Sequence, residues 1–332
     1  MIITKTPFRV SLFGGGSDHP KWFSEHGGKV ISFAIDKYCY LSTRILPPFF
    51  DHNYRIAYSI VETEKAIENI KHPAVREAIR RYAPELRLEI HHDGDLPARS
   101  GVGSSSAFAV GIIHSLLGLQ GKSPDNNLLA DLAIEMEQDI LKENIGWQDQ
   151  IACAIGGLNY LEFSTSFSWK AESLSPSKRY LDAIESRIVL VYTGISRSSS
   201  DINATLLTGL DKKQNLMREL VNMVDICRSH FMAEDDNLDV IGEMLDQSWN
   251  LKRRLNQAAT NSDLDRFYSN GKSAGAIGGK ILGAGGGGFF LFWLRDGGKA
   301  DFLSKFKLGT PIPIKISPQG SSIVYRSADL SS

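Results

Sequence analysis

Three glycine-rich segments and one acidic side chain are the residues of this 332-residue chain whose types and spacing point to chemistry. Glycines cluster at Gly14-Gly15-Gly16, at Gly101-Val102-Gly103 running into Ser104-Ser105-Ser106, and at Gly283-Ala284-Gly285-Gly286-Gly287-Gly288. A glycine lets the backbone approach a ligand closely and turn its amides toward it, as binding a phosphate or sugar oxygen demands. Taken singly, each cluster also reads as a tight turn. The middle segment says most, because Leu96-Pro97-Ala98-Arg99-Ser100-Gly101 leads straight into a helical stretch from about Ser105. A helix N-terminus flanked by glycines and hydroxyls is an anion site, and the serine hydroxyls could also reach a divalent cation bridging phosphates. Glu137 is the acidic residue. On a helical wheel Ala130, Ala133, Ile134 and Leu141 bracket it, while Asp131 and Glu135 fall on the opposite, polar side. A carboxylate inside an apolar arc needs a partner, which a metal ion or a Lys or Arg can supply. Asp139, at the rim of the arc, is the alternative ligand.

The elements that must position these residues follow from periodicity. Strand-like runs occupy 2–6, 9–13, 30–35, 38–44, 54–58 and 86–91, with a helical stretch over 62–82 broken at His72-Pro73. Helices are expected over 105–119 and 124–141, the second opened by Ser123 as N-cap and Pro124 at its first position. A strand at 157–163 precedes a serine-rich stretch, 164–177, that reads as a boundary loop. Beyond it come a strand at 188–192, helices over much of 200–277, and strands at 289–293, 312–316 and 322–325. Strands and helices mix without a regular βαβ alternation, which predicts an α+β fold in two lobes.

Bulk composition narrows the partners. The 37 basic and 38 acidic residues nearly cancel, so nothing general favours nucleic acid or an anionic membrane, and any bound anion must be held locally. Cys39, Cys153 and Cys227 are too widely spaced for a metal site and read as reduced core residues. The start, Met1-Ile2-Ile3-Thr4-Lys5, carries no secretory pattern and no apolar run approaches a membrane span, so a cytoplasmic protein is expected. Two common nucleotide motifs fail. Gly271-Lys272-Ser273 has Arg266 where the first glycine of a P-loop belongs, and the formal G-x-G-x-x-G from Gly283 to Gly288 leads into the strand-like Phe289-Phe290-Leu291-Phe292-Trp293 instead of a helix.

The three segments, in this order and at these separations, resemble the three motifs of the GHMP kinases, the family of galactokinase, homoserine kinase, mevalonate kinase and phosphomevalonate kinase. Residues 7–18, 97–107 and 280–290 are similar to the first, second and third motif. The Gly-Gly-Gly-Ser-Asp form of the first and the glycine run of the third look most like the sugar kinases acting on heptose 7-phosphate, whose acceptor is the anomeric hydroxyl. The resemblance implies an N-terminal lobe like ribosomal protein S5 domain 2, over 1–175, a ferredoxin-like C-terminal lobe over 176–332, and an active site between them. ATP and Mg²⁺ would be the cofactors, a sugar or sugar phosphate the substrate, and a monomer or homodimer the assembly.

By the same resemblance Asp149, in Gly146-Trp147-Gln148-Asp149-Gln150, is the candidate base, although Gln148 stands where relatives carry glycine. Without the family, that aspartate reads as a helix cap. Arg9 would sit by the transferred phosphate and balance its charge. Pro97, Arg99, Gly101, Val102, Gly103, Ser104, Ser105 and Ser106 would bind the nucleotide, with Ser105 completing a metal site with Glu137. Gly15, Gly16, Ser17 and Asp18 would meet the acceptor, as would Gly285, Gly286 and Gly287. A substrate phosphate needs a cation, for which Arg197 is the first choice, ahead of Lys21 and Arg99. Gly15-Gly16 replaces the Glu-His pair of galactokinase, which argues against galactose. Other acceptors such as fucose, and a sugar sensor without catalysis, are the competing readings.

Overall fold

The computed structural model describes residues 1–195 and 213–327. Its strands are β1 (Ile2–Phe13), β2 (Gly28–Ile45), β3 (Tyr54–Ala57), β4 (Val61–Glu64), β5 (Leu88–Gly94), β6 (Leu158–Ser164), β7 (Ser168–Ser173), β8 (Ile188–Tyr192), β9 (Ala276–Ile281), β10 (Phe289–Leu294), β11 (Thr310–Ile312) and β12 (Ser322–Arg326). One sheet runs β12-β1-β2-β5-β3-β4, with β6 paired to β2 and β7 to β6. The helix Ser104–Leu119 lies over β1 and β2. Its residues from Ser106 onward are buried, as expected of a helix that is apolar all round.

The second sheet is antiparallel in the order β11-β8-β10-β9. Its chain order of strand, helices, two strands, helix, strand is that of a ferredoxin-like lobe. Period-two alternation divides the side chains of β10. Phe290 and Phe292 stack with Phe267 and Tyr268 on one face, while Phe289, Leu291 and Trp293 join the core shared with the first lobe. The α+β fold in two lobes is therefore as the periodicity predicted.

Several local expectations are corrected. The runs at 2–6 and 9–13 are one strand, because a shift of register between Pro7 and Arg9 absorbs the proline without ending β1. The stretch 62–82 begins as β4, and His72 caps a helix only from Pro73 to Tyr82. The helix expected from Pro124 starts at Asn126, because the Asp125 carboxylate accepts from the Leu128 amide and takes the cap role from Ser123. It widens into a π-turn over Glu135–Ile140. The serine-rich stretch is not all loop, since it holds β7. β12 pairs with β1 in the first sheet, so residues 322–326 lie with the strands of the first lobe.

Candidate active site

Arg9 points inward from the register shift of β1, where its amide donates to the Val102 carbonyl at 3.0 Å. Its Nε and Nη2 donate to Oδ1 and Oδ2 of Asp149 at 2.7 and 2.6 Å, and Nη1 donates to the Gly101 carbonyl at 2.6 Å. A two-point guanidinium–carboxylate pair of this kind fixes both groups in direction as well as distance. Asp149 lies in the first turn of the helix Gln148–Ile155 but caps nothing. One edge of its carboxylate stays open, with the side chain 26% exposed.

Glu137 is carried by the π-turn, a feature frequent at functional sites. It is 1% exposed, as the helical wheel predicted, and no Lys or Arg is bonded to it among the described residues. Instead it accepts from Ser105 Oγ at 2.7 Å, from Ser106 Oγ at 2.6 Å and from Gln150 Nε2 at 2.6 Å. Burial pushes its carboxyl up to about 7, against these three hydrogen bonds. Hydroxyl and carboxylate oxygens are the hard donors Mg²⁺ takes, and that ion is held by one or two carboxylates with substrate phosphates and water. The residues present fit it. Ser105 is exposed and Ser106 is buried, while Ser104 Oγ accepts from the Arg99 amide, so Ser105 is the hydroxyl that faces the opening. Asp139 is exposed and away from the cluster.

The loop before the helix Ser104–Leu119 takes positive φ at alternate residues, 57° at Arg99, 83° at Gly101 and 74° at Gly103. Such alternation turns amides toward one side and makes a concavity for anions. Pro97 and Arg99 form its exposed rim, and the Val102 side chain is buried beneath it. The third glycine segment closes over this loop. A Cβ on Gly283 would lie 2.7 Å from Gly101 Cα, and Phe289 N donates to the Ser100 carbonyl at 3.1 Å. Gly286, whose amide donates to the Ala259 carbonyl, and Gly287, packed on Ile195, are buried, and Gly285, packed on Ala259, is partly open.

At the first segment Gly15 and Gly16 are partly open. Asp18 accepts from the Gly16 amide at 2.8 Å and from the Gln148 amide at 3.2 Å, which ties this turn to the Asp149 loop. Burial raises its carboxyl above the ordinary range, and the charge of Asp149 adds to the rise. Ser17 is turned inward, its hydroxyl donating to the carbonyls of Gly14 and Lys29. His19 bonds Asn144 and caps the helix Pro20–His26. Lys21 is exposed, and Arg197 falls outside the described residues.

Lys252 and Lys280 were not singled out as site residues by sequence. Lys252 Nζ donates to the Gly283 carbonyl at 2.6 Å and Lys280 Nζ to the Leu12 carbonyl at 3.0 Å. Burial lowers Lys252 to about 7 and Lys280 well below its ordinary value, and Arg9 acts on both. A lysine opposite an apolar residue in a strand such as β9 was the available signal.

A phosphate loop at a helix start, a buried carboxylate with hydroxyls beside it and a second carboxylate clamped by arginine define a small-molecule kinase. Comparison with known proteins narrows the class. Residues 68–157 match the family model described as GHMP kinases N terminal domain, and 231–306 match GHMP kinases C terminal, together half of the chain. The chain belongs to the GHMP kinase family and is an ATP-dependent phosphotransferase with an alcohol group as acceptor. It is 28% identical to D-glycero-alpha-D-manno-heptose 7-phosphate kinase of Campylobacter jejuni, over 88% of this chain and 89% of that protein. With mevalonate kinase of Thermococcus sibiricus it shares 26% identity over 97% and 98% of the two chains. The crystal structure of a D-glycero-D-manno-heptose 1-phosphate kinase from Bacteroides thetaiotaomicron superposes with a TM-score of 0.81, at 22% identity, covering 99% of this chain and all of that one. No helix among the described residues is long and apolar enough to cross a membrane.

Proposed function

We propose that this chain is a sugar 1-kinase that transfers the γ-phosphoryl group of ATP to the anomeric hydroxyl of D-glycero-D-manno-heptose 7-phosphate, giving the 1,7-bisphosphate for nucleotide-activated heptose synthesis. The observation that carries the reading is the Arg9–Asp149 pair, bonded to the carbonyl of Gly101 inside the phosphate loop. It supports Asp149 as the proton acceptor and Arg9 as the cation beside the last phosphate of a nucleotide that 97–106 would hold. The likeness to the Campylobacter jejuni enzyme supports the heptose acceptor.

In this reading the open edge of Asp149 orients the acceptor hydroxyl and receives its proton. Phosphoryl transfer passes through a loose transition state in which the proton leaves late, so a carboxylate already held by arginine suffices. Arg9 offsets charge on the transferred group. Glu137 and Ser105 would hold Mg²⁺, which neutralises phosphate charge. Asp18, fixed by two amides, would accept from a sugar hydroxyl. The substrate phosphate would go to Arg197, Lys21 or Arg99.

The test is ATP consumption with a panel of heptose 7-phosphate, fucose, galactose, N-acetylhexosamines and mevalonate, the product position being read by phosphorus NMR. Preference for the heptose phosphate with phosphate at C1 is expected. Preference for fucose would replace the acceptor, and binding of sugars without transfer to any of them would favour a sensor.

A further inference from the structure

Lys252 and Lys280 are two charged groups near the site for which the proposed mechanism has no use. Lys252 belongs to the helix Asp239–Leu255 and Lys280 to β9, so both come from the second lobe. Lys280 is 5% exposed. Each ammonium is bonded to backbone carbonyls, and no carboxylate is bonded to either among the described residues. The charged groups acting on them are cations: Arg9 from β1 acts on both, and Lys252 also acts on Lys280. Asp246 on the same helix as Lys252 is engaged with Tyr268 and Lys272, and Asp149 with Arg9. Holding one buried and one partly buried ammonium beside a guanidinium is costly unless a negative charge arrives to join them.

Their anchors show where that charge must sit. The carbonyl gripped by Lys252 is that of Gly283, which packs on Gly101, whose own carbonyl takes Arg9. The carbonyl gripped by Lys280 is that of Leu12, at the mouth of the Gly14-Gly15-Gly16 turn. The pair thus reaches from the second lobe, Lys252 to the backbone that packs on the 97–106 loop and Lys280 to the strand that leads into the first glycine turn. We infer that Lys252 and Lys280 form a clamp from the second lobe that binds the terminal phosphate of the nucleotide and holds it as it is transferred. This inference rests on the kinase reading of the site.

Lys252→Met and Lys280→Met keep the stems and delete the charges. Titration calorimetry with Mg²⁺ and a non-hydrolysable ATP analogue, in two buffers of different ionisation enthalpy near pH 7, reads proton uptake as the empty lysines become charged. Mg²⁺ at Glu137 would release a proton in every variant and with either nucleotide, so the lysines are read from the difference between the triphosphate analogue and ADP. Binding of the analogue should take up more protons than binding of ADP in the unaltered protein, and this difference should shrink in each variant. Turnover should fall about 100-fold, while the melting temperature holds or rises because a buried cation is gone. An analogue-minus-ADP uptake and a turnover both within about threefold of the unaltered protein in both variants would overturn the clamp. So would a lowered melting temperature with uptake unchanged, which marks a purely structural tie. Should Lys280→Met fail to fold, the partly accessible Lys252 decides. Should no acceptor be phosphorylated even by the unaltered protein, the kinase reading has failed, and the triphosphate titration still judges the lysines.

Discussion

Replacing Glu137 by glutamine separates a carboxylate kept for a metal from one kept for structure. Burial raises this carboxyl to about 7 from an ordinary 4.5, against hydrogen bonds from Ser106, Ser105 and Gln150, and Asp149 adds to the rise. Between those two values the folded protein holds a proton that the unfolded chain has released. The stability this group contributes is therefore fully present below the window and is lost as the pH rises through it. At about pH 8 the ionised form costs up to about 3 kcal/mol, at about 1.4 kcal/mol per pH unit. A glutamine cannot ionise. Its amide also finds an acceptor, since Oε1 of Gln150 is buried without a partner and a turn of that side chain supplies it. With an unfolding entropy of about 2 cal/mol/K per residue, E137Q should melt up to about 4 °C above the unaltered protein at about pH 8. The gap should close at about pH 5. In the same variant the Mg²⁺ concentration for half-maximal turnover should rise at least about tenfold, as loss of a direct ligand demands. Thermal melts at the two pH values and a Mg²⁺ titration are the assays. A variant that melts lower at both pH values, with an unaltered titration, would refute the argument and leave Glu137 a structural acceptor of serine hydroxyls.

Other substitutions test the remaining parts of the site. Asp149→Asn should lower kcat by about 10²- to 10⁴-fold with nucleotide affinity little changed, and unchanged turnover would remove Asp149 from the mechanism. Arg9→Met should lower kcat at least about 100-fold and destabilise the fold, because Asp149 loses its partner; a melt with no change would show the pair to be dispensable. Gly146→Ala would bring a Cβ to 1.9 Å from Asp18 Oδ2, so the acceptor KM should rise at least about tenfold while nucleotide affinity holds, consistent with a displaced polar contact. An unaltered acceptor KM would take Asp18 out of the sugar site.

Short-range pattern carried much of this protein in its sequence. Short runs of β-branched and aromatic residues marked β8, β10 and β12, a change of periodicity marked the helix Ser104–Leu119, and glycine clusters marked the places where backbone meets backbone or ligand. The wheel that buried Glu137 worked because burial of a helical face depends on residues three and four apart. What sequence left open depended on distant partners. Pro7 breaks a strand on paper, yet β1 continues because β2 accepts a shifted register. β7 reads as a serine-rich loop because its strand character comes from pairing with β6. Lys252 carries no local mark, and Lys280 only its place in an otherwise apolar strand. Their meaning lies in carbonyls 31 and 268 residues away; packing within the second lobe brings Lys252 to Gly283, packing one lobe on the other brings Lys280 to Leu12, and the folding of the first lobe brings Arg9 to Asp149 across 140 residues. The sequence could determine which segments have the chemistry to bind phosphate, since that is a property of residue type and spacing. Which side chains face one another across the cleft is decided by tertiary packing, because burial and electrostatic coupling belong to neighbours in space.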